Sequence, residues 1–227
     1  YDERYRLADV FASLRRAPEM LVPAIARIAG VAAVETRIVE DVPLGLQDME
    51  EPAIGRLISL PERGDPAVNA VALRRGQRIA RDLPDGVIVD ERFAAAHGLA
   101  PGDHLEAVIN GGKRRLTVVG TALSPEYVYA LAPGQIVPDD RRFAILWMGR
   151  QALEAALGLE RAFNDVSLRL QPSASEADVV ERLNVLLRPY GGTGAYGRRQ
   201  QYSYAFVSGE LGQLSAIGRI MPPLFLG

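Results

Sequence analysis

His97 and His104 are the only histidines of the chain, and cysteine is absent. Imidazole is the side chain best suited to metal binding and to proton transfer near neutral pH. A zinc site takes three or four ligands, and neither an H-E-x-x-H helix nor a Cys cluster accompanies this pair. Both histidines are expected to be structural. Ser124, in Ser124-Pro125-Glu126, and Ser167 are the serines to weigh as nucleophiles. Neither stands in a G-x-S-x-G elbow, and nothing specific joins either to His97 or His104 as a triad. Asp139-Asp140 followed by Arg141-Arg142 carries the charges of a metal or phosphate site. Adjacent like charges in a Pro-flanked stretch read more simply as a solvated loop with local ion pairs. Asp90-Glu91 reads the same way, with Asp90 as a helix N-cap. Gly191-Gly192-Thr193-Gly194 resembles a phosphate cradle, but it lacks the G-K-[ST] ending and follows a helix. It reads as a helix-to-strand turn. No catalytic, cofactor-binding or metal-binding residue is therefore assigned, and the chain is read as non-enzymatic, with no cofactor.

Aromatic residues give the one candidate surface. Tyr127 and Tyr129 stand at period 2 in a candidate strand and so share a face. Tyr190, Tyr196, Tyr202, Tyr204 and Phe206 crowd the C-terminal end. Tyrosine at this density suits a partner interface or a wet ligand groove. The alternative is that half of these rings cap the edge of the core.

Composition narrows the class of protein. The 227 residues are 48% hydrophobic and 24% charged, which suits a folded globular chain of one large or two small domains. A formal charge of −2 leaves no electrostatic footprint for nucleic acid. Zero cysteine removes disulfide scaffolds, thiol catalysis and Cys-ligated metals.

Hydrophobic periodicity then supplies the elements. Residues 7–14 read as a strand, and Pro18 opens a helix whose apolar face is Met20, Leu21, Ile25 and Ile28. Gly30 ends it, and residues 31–39 read as a second strand. The same β-α-β grammar returns late in the chain. Residues 165–170 alternate as a half-buried strand. Ser173-Ala-Ser-Glu176 has the pattern of a capping box. Val179, Val180, Leu183, Leu186 and Leu187 form a helical face that Pro189 and Gly191-Gly192 stop. Residues 194–198 supply a closing strand. Two such units far apart in sequence predict an α+β fold: a split, ferredoxin-like β-α-β layer of four strands with two helices on one face.

Between them lies a β-rich insert. Its candidate strands are 54–60, 70–74, 86–89, 104–109, 114–121, 126–131 and 143–148, with short helices at 91–97 and 149–157. Asn110-Gly111-Gly112 between two strand runs is a hairpin signal. The expected organisation is a layer from 1–60 and 160–202, a β-rich module over 61–155, and an amphipathic helix over 203–227.

The chain starts at Tyr1 rather than Met and is expected to be a piece of something longer. Beyond Arg219 the residues Ile220-Met-Pro-Pro-Leu-Phe-Leu-Gly227 carry no charge. They are too few to cross a bilayer, which takes about 20. They read either as the opening turns of a membrane span or as a Pro-Pro tail behind a docked helix.

This order of elements resembles the extracytoplasmic domain of MacB/FtsX-type ABC transporter permeases. The resemblance covers nearly the whole chain. It is carried by RIAGVAAVETRIV after the first helix, by VIVDERFAAAHGLAPGDHLEAVINGGKRRLTVVGTALSPEYVYA in the insert, and by FNDVSLRL opening the second unit. The stretch from Val87 to Asp103, V-[IV]-V-[DS]-x-x-x-A-x-x-x-G-[LV]-x-x-G-D, is a structural signature and specifies no reaction. In that family the domain lies between the first two membrane helices, and its halves are the porter (split layer) and sabre (insert) subdomains. Long sabre loops of the kind found in adaptor-docked macrolide exporters are lacking here.

The resemblance implies a bacterial domain on the outer side of the cytoplasmic membrane. It would couple ATP-driven motion of membrane helices to export, lipoprotein handling or an outside partner. Implied partners are the flanking transmembrane helices, a cytoplasmic ATPase subunit, a second permease copy, and an extracytoplasmic adaptor or lipoprotein. The rival reading is a stand-alone soluble ligand-binding protein or small hydrolase that uses the cleft between the two modules.

Overall fold

The computed structural model of the chain describes residues 6–46, 52–128, 130 and 137–201. Two β-sheets organise them. The first has four strands: β1 (Val10–Pro18), β2 (Val31–Arg37), β10 (Ala162–Leu170) and β11 (Tyr196–Gly197). Their order across the sheet is β11-β1-β10-β2, and every neighbouring pair is antiparallel.

One face of this sheet is covered by helices. A 3-10 turn at Glu19–Leu21 runs into α1 (Val22–Ala26), and α4 (Glu176–Leu187) covers the other end. Their apolar stripes meet the sheet, except for Met20 of the expected first stripe, which is exposed. Ile25, Val179, Leu183 and Leu187 pack with Val10, Leu14, Val166 and Leu168. The cap of α4 lies two residues later than the capping-box reading placed it. Ser175 Oγ, not Ser173, accepts from the Asp178 N–H at 3.3 Å. Ser175-Glu-Ala-Asp178 satisfies the same spacing rule, and the helix starts where the side chain reaches the orphan amide.

The second sheet runs β5-β8-β6-β9-β4-β3-β7. Its strands are β3 (Val39–Gly45), β4 (Ala53–Leu60), β5 (Ala72–Gly76), β6 (Gly86–Asp90), β7 (His104–Ile109), β8 (Gly112–Leu123) and β9 (Phe143–Gly149). β8 is 12 residues long, and it pairs with β7 through its first half and with β6 and β5 through its second. That double pairing closes six strands into a barrel, with β5 as an outer flap. Asn110 (φ 50°) and Gly111 (φ 77°) form the β7–β8 turn, as a two-residue hairpin demands. Gly120 sits where β8 is crowded by its partners. A Cβ there would lie 2.7 Å from the Arg75 carbonyl oxygen, so a side chain is excluded.

The barrel interior is filled by Leu57, Val89, Leu105, Leu116, Leu146 and their neighbours. Two short helices plug it: α2 (Glu91–Ala96) follows β6 and α3 (Arg150–Leu157) follows β9. They bring Phe93, Ala94, Leu153 and Ala156 into the same cluster.

Asp90 starts α2 as expected. Its Oδ2 accepts from the N–H groups of Arg92 (3.0 Å) and Phe93 (3.4 Å). Burial nevertheless pushes its pKa up to about 6, against the pull of those two amides. A carboxyl whose folded pKa exceeds its unfolded value stabilises the fold fully below the unfolded pKa. That contribution is lost as pH rises through the folded pKa. The window here runs from about pH 4 to pH 6, and the effect is on the order of 3 kcal/mol at most. Asp90→Asn keeps an N-cap acceptor without the charge. It is expected to equal or exceed the wild type at pH 7 and to lose the slope between pH 4.5 and 7 in urea unfolding. Asp90→Ala is expected to lose the cap, about 1 kcal/mol. A wild-type slope retained by the Asn variant would count against this account.

Three expectations are corrected. The four-stranded layer does not extend to residue 60: β3 and β4 belong to the barrel. The reason lies at Ile38, which follows the last residue of β2 and is buried in the barrel interior. Its N–H donates to Ser59 Oγ at 2.8 Å, so the chain passes directly from one sheet into the other. β3 itself was not foreseen, because Pro43 interrupts the run. Pro43 stands opposite Ile54 of β4, while β7 meets β3 only at Leu44 and Gly45. Finally, no strand begins at residue 126. Pro125–Tyr127 is a 3-10 turn capped by Ser124, whose Oγ accepts from the Glu126 N–H at 3.3 Å. Tyr127 is therefore in a turn and not on a strand face. Tyr129, Tyr202, Tyr204 and Phe206, with the helix expected over 203–227, lie outside the described residues.

Candidate functional site

Part of the second face of the four-stranded sheet is covered, while Ser13 and Arg169 on it stay exposed. Asp165 and Ser167 alternate with the helix-side residues Val166 and Leu168 on β10. They face the barrel unit and are 9% and 0% exposed. Arg37, at the end of β2, is 6% exposed and lies beside them.

Its guanidinium is fully engaged. Nε donates to Asp165 Oδ1 at 2.8 Å, Nη1 to Glu126 Oε2 at 2.5 Å and Nη2 to Glu126 Oε1 at 2.9 Å. This bidentate fork matches guanidinium to carboxylate geometry. Glu126 comes from the turn after β8, so the ion pair crosses from one unit to the other. Asn69, of the loop after β4, completes the network. Its Nδ2 donates to Glu126 Oε2 at 2.7 Å, and its Oδ1 accepts from the Ala8 N–H at 2.8 Å. Asn69 holds φ at 56°, a left-handed conformation that asparagine tolerates better than most residues. Gln201 Nε2 donates to the Glu126 carbonyl at 2.7 Å.

One cation faces two carboxylates in this buried space. Burial opposes the Arg37 charge, but Asp165 and then Glu126 outweigh it and hold its pKa well above the ordinary value. Asp165 is pushed up by burial and by Glu126, against the pull of Arg37. The cluster is a tightly hydrogen-bonded joint between the two units.

Further ties bind the two units along the same seam. The Asn164 side chain accepts from the Val39 N–H (2.8 Å) and donates to the Val39 carbonyl (2.9 Å). Arg150, at the start of α3, donates to the Thr36 and Ala162 carbonyls at 2.6 and 3.0 Å and pairs with Glu154 and Glu19. Glu35 Oε2 accepts from the Ala67 N–H. Trp147, the only tryptophan, lines the same junction beside Arg37 and Glu126.

The remaining sequence candidates do not converge. His97 packs on Phe93, ring centroids 4.5 Å apart, and its Nε2 bonds the Arg141 carbonyl at 2.8 Å. His104 Nδ1 meets Thr117 Oγ1 at 3.2 Å. Asp139 Oδ1 accepts from the N–H groups of Arg141 and Arg142, a local turn. Ser124 caps a turn, and Ser167 lies in the seam. Gly191 takes a left-handed φ of 74° behind a 3-10 turn, as a helix-to-strand exit requires. Among the described residues no group of three His, Asp or Glu side chains is arranged to hold a metal.

The tyrosines divide. Tyr196 stacks on Phe11 with centroids 5.7 Å apart, and burial with Asp165 and Glu126 pushes its phenol up to about 12. Tyr127 is half-buried against the outer-face core of the barrel, and burial and Glu126 raise its pKa well above the ordinary value. Tyr190 packs on the helix side of the four-stranded sheet. Tyr127, Tyr190 and Tyr196 thus pack on three different apolar clusters. The space at the junction lined by described residues measures about 10 Å³, enough for a single water at most.

Compared by sequence, the chain matches no protein-family model and no curated protein. Compared by structure, it is similar to the periplasmic region of MacB from Actinobacillus actinomycetemcomitans. That match has a TM-score of 0.50 at 10% identity, over 93% of this chain and 95% of that one. The fold is that of the MacB periplasmic region. A mixed α+β chain, mostly strands with few helices, is common to both. The extracellular domain of the noncanonical ABC-type transporter YknZ from Gram-positive bacteria aligns at TM-score 0.48 and 12% identity, over 84% of this chain and 98% of that one. A domain of a putative permease protein from Porphyromonas gingivalis aligns at 0.42 and 16%, over 82% and 81%. At these identities the MacB likeness speaks for fold alone. Among the described residues no helix is long and apolar enough to cross a membrane.

Proposed function

We propose that this chain is the extracytoplasmic domain of a bacterial ABC-type permease of the MacB/FtsX kind. It would be carried on the outer side of the cytoplasmic membrane between transmembrane helices of the same polypeptide. The observation that carries the reading is the fold match to the MacB periplasmic region, which spans both units of this chain. In this reading the four-stranded layer is the ferredoxin-like, porter-type subdomain and the barrel is the sabre-type subdomain. Their boundary falls at Ile38 and again at Ala162. The domain itself performs no catalysis. Hydrolysis of ATP belongs to a cytoplasmic subunit, and a second permease copy stands beside this one. Export, lipoprotein handling or docking of an outside adaptor is the output.

The seam supports a rigid-body role. A buried guanidinium shared by carboxylates of both units resists shear between them, so a displacement at the membrane end is transmitted whole.

The test is membrane entry. Single cysteines are placed at positions 218 to 226 of the full-length protein and probed in cells with a membrane-impermeant thiol reagent. Labelling is expected to fall away beyond Arg219, where the uncharged run begins. Strong, even labelling through Leu226 would place that segment in water and overturn the reading.

A further inference from the structure

A groove of about 420 Å³ lies on the outer face of the barrel and reaches the junction seam, with which it shares Leu60, Pro66 and Val71. Its floor is built from strand residues: Leu60 of β4, Leu73 of β5, Ile88 of β6 and Gly149 of β9. One wall is the loop after β5, which turns Ile79 and Leu83 inward. The other is α3, whose Ala152 and Ala155, three apart, present only methyl groups where longer side chains would fill the space. Leu73 is 40% exposed there, an unusual state for a large apolar side chain in a strand. An apolar hollow offers few partners to ordered water, so it favours an apolar occupant.

Four charges line the rim: Glu62, Asp65, Arg78 and Arg81. Three are committed. Arg78 Nη2 pairs with Asp65 Oδ1 at 2.6 Å, and Glu62 Oε1 accepts from the Gln151 N–H at 2.8 Å, at the first turn of α3. Arg81 meets no carboxylate among the described residues. Its one contact is a long 3.5 Å approach to the Glu62 carbonyl. The rim therefore holds one exposed cation with no carboxylate partner among the described residues, over an apolar floor.

We infer that this groove binds a free, single-chain anionic amphiphile. Its apolar body lies between the 79–83 loop and α3, and its carboxylate pairs with Arg81. At ordinary packing density the space accepts a chain of about twelve carbons. The inference does not depend on the permease reading, because every residue it uses lies within the barrel unit.

Dodecanoate, below its micelle concentration, is the probe, with dodecanol as the uncharged isostere. Binding to the chain is followed by calorimetry. Dodecanoate is expected to bind with one-to-one saturation and at least fivefold more tightly than dodecanol. Arg81→Ala should remove that preference while leaving dodecanol unchanged. Ala155→Phe should abolish binding of both by filling the groove. Ile79→Asp, on the exposed loop, is the second blocking variant should the first fail to fold. Failure to saturate, a preference that survives Arg81→Ala, or binding that survives a folded blocking variant would overturn the assignment. So would binding seen only with vesicles of anionic phospholipid, which would make the ligand a bilayer surface.

Discussion

Replacing Arg37 by Met is expected to cost the protein about 3–5 kcal/mol at pH 7, because it leaves Glu126 and Asp165 buried and facing each other without a cation. The hydrophobic gain from the Met side chain is small against that penalty, since desolvated carboxylates have no water to turn to. The deficit should depend on pH with a definite sign. Without Arg37 the Asp165 carboxyl, already pushed up by burial, loses the main pull that opposes that rise. The loss is thus smallest at low pH, where Asp165 is protonated, and grows as pH rises. Adding Glu126→Gln removes one of the stranded charges while preserving an acceptor for Asn69, and should recover more than half of the loss. Trp147 lines the junction, so its fluorescence reads the seam directly during urea unfolding. A Met variant within 1 kcal/mol of wild type at pH 7, with no added pH slope, would mean that the joint contributes nothing.

Phe93→Ala should be nearly as damaging, about 3–5 kcal/mol, for a different reason. The ring is 1% exposed and forms part of the plug at the end of the barrel, packed with the interior core. Removing it opens a cavity that the closed sheet cannot collapse to fill. His97 touches the same ring but lies at the surface, bonded to the Arg141 carbonyl. His97→Ala is expected to cost less than about 1 kcal/mol. The pair of variants separates a residue that fills space from a residue that covers it. Urea midpoints at constant m-value are the measure. Similar losses for both would place His97 in the core and invalidate the distinction.

Local structure was legible wherever it depends on neighbours in the chain. The stripe Val179, Leu183, Leu187 fixes α4, the Asn110-Gly111 pair fixes a hairpin, and Asp90 fixes the start of α2. Each rests on a spacing or a cap that acts within a few residues. Even the misplaced strand at 126–131 had a local sign against it, since Ser124-Pro125 favours a turn.

The joint between the units had no such sign. Asp165-Val-Ser-Leu-Arg-Leu170 alternates as a half-buried strand does, and its polar face reads as the wet one. Asp165 and Ser167 on that face are instead covered by the barrel unit, and only Arg169 stays exposed. Arg37 finds Glu126 89 residues away and Asp165 128 residues away. Sequence periodicity marks which side of an element is polar, but a charge facing water and a charge facing a distant opposite charge leave the same pattern. The closure of the barrel through the two halves of β8, the passage of β3 out of the first sheet and the groove beside α3 share that character. Sequence determined the elements and, through them, the likeness to an extracytoplasmic permease domain. Tertiary structure alone decided which polar groups were buried together, because pairing across such separations depends on where the whole chain brings them.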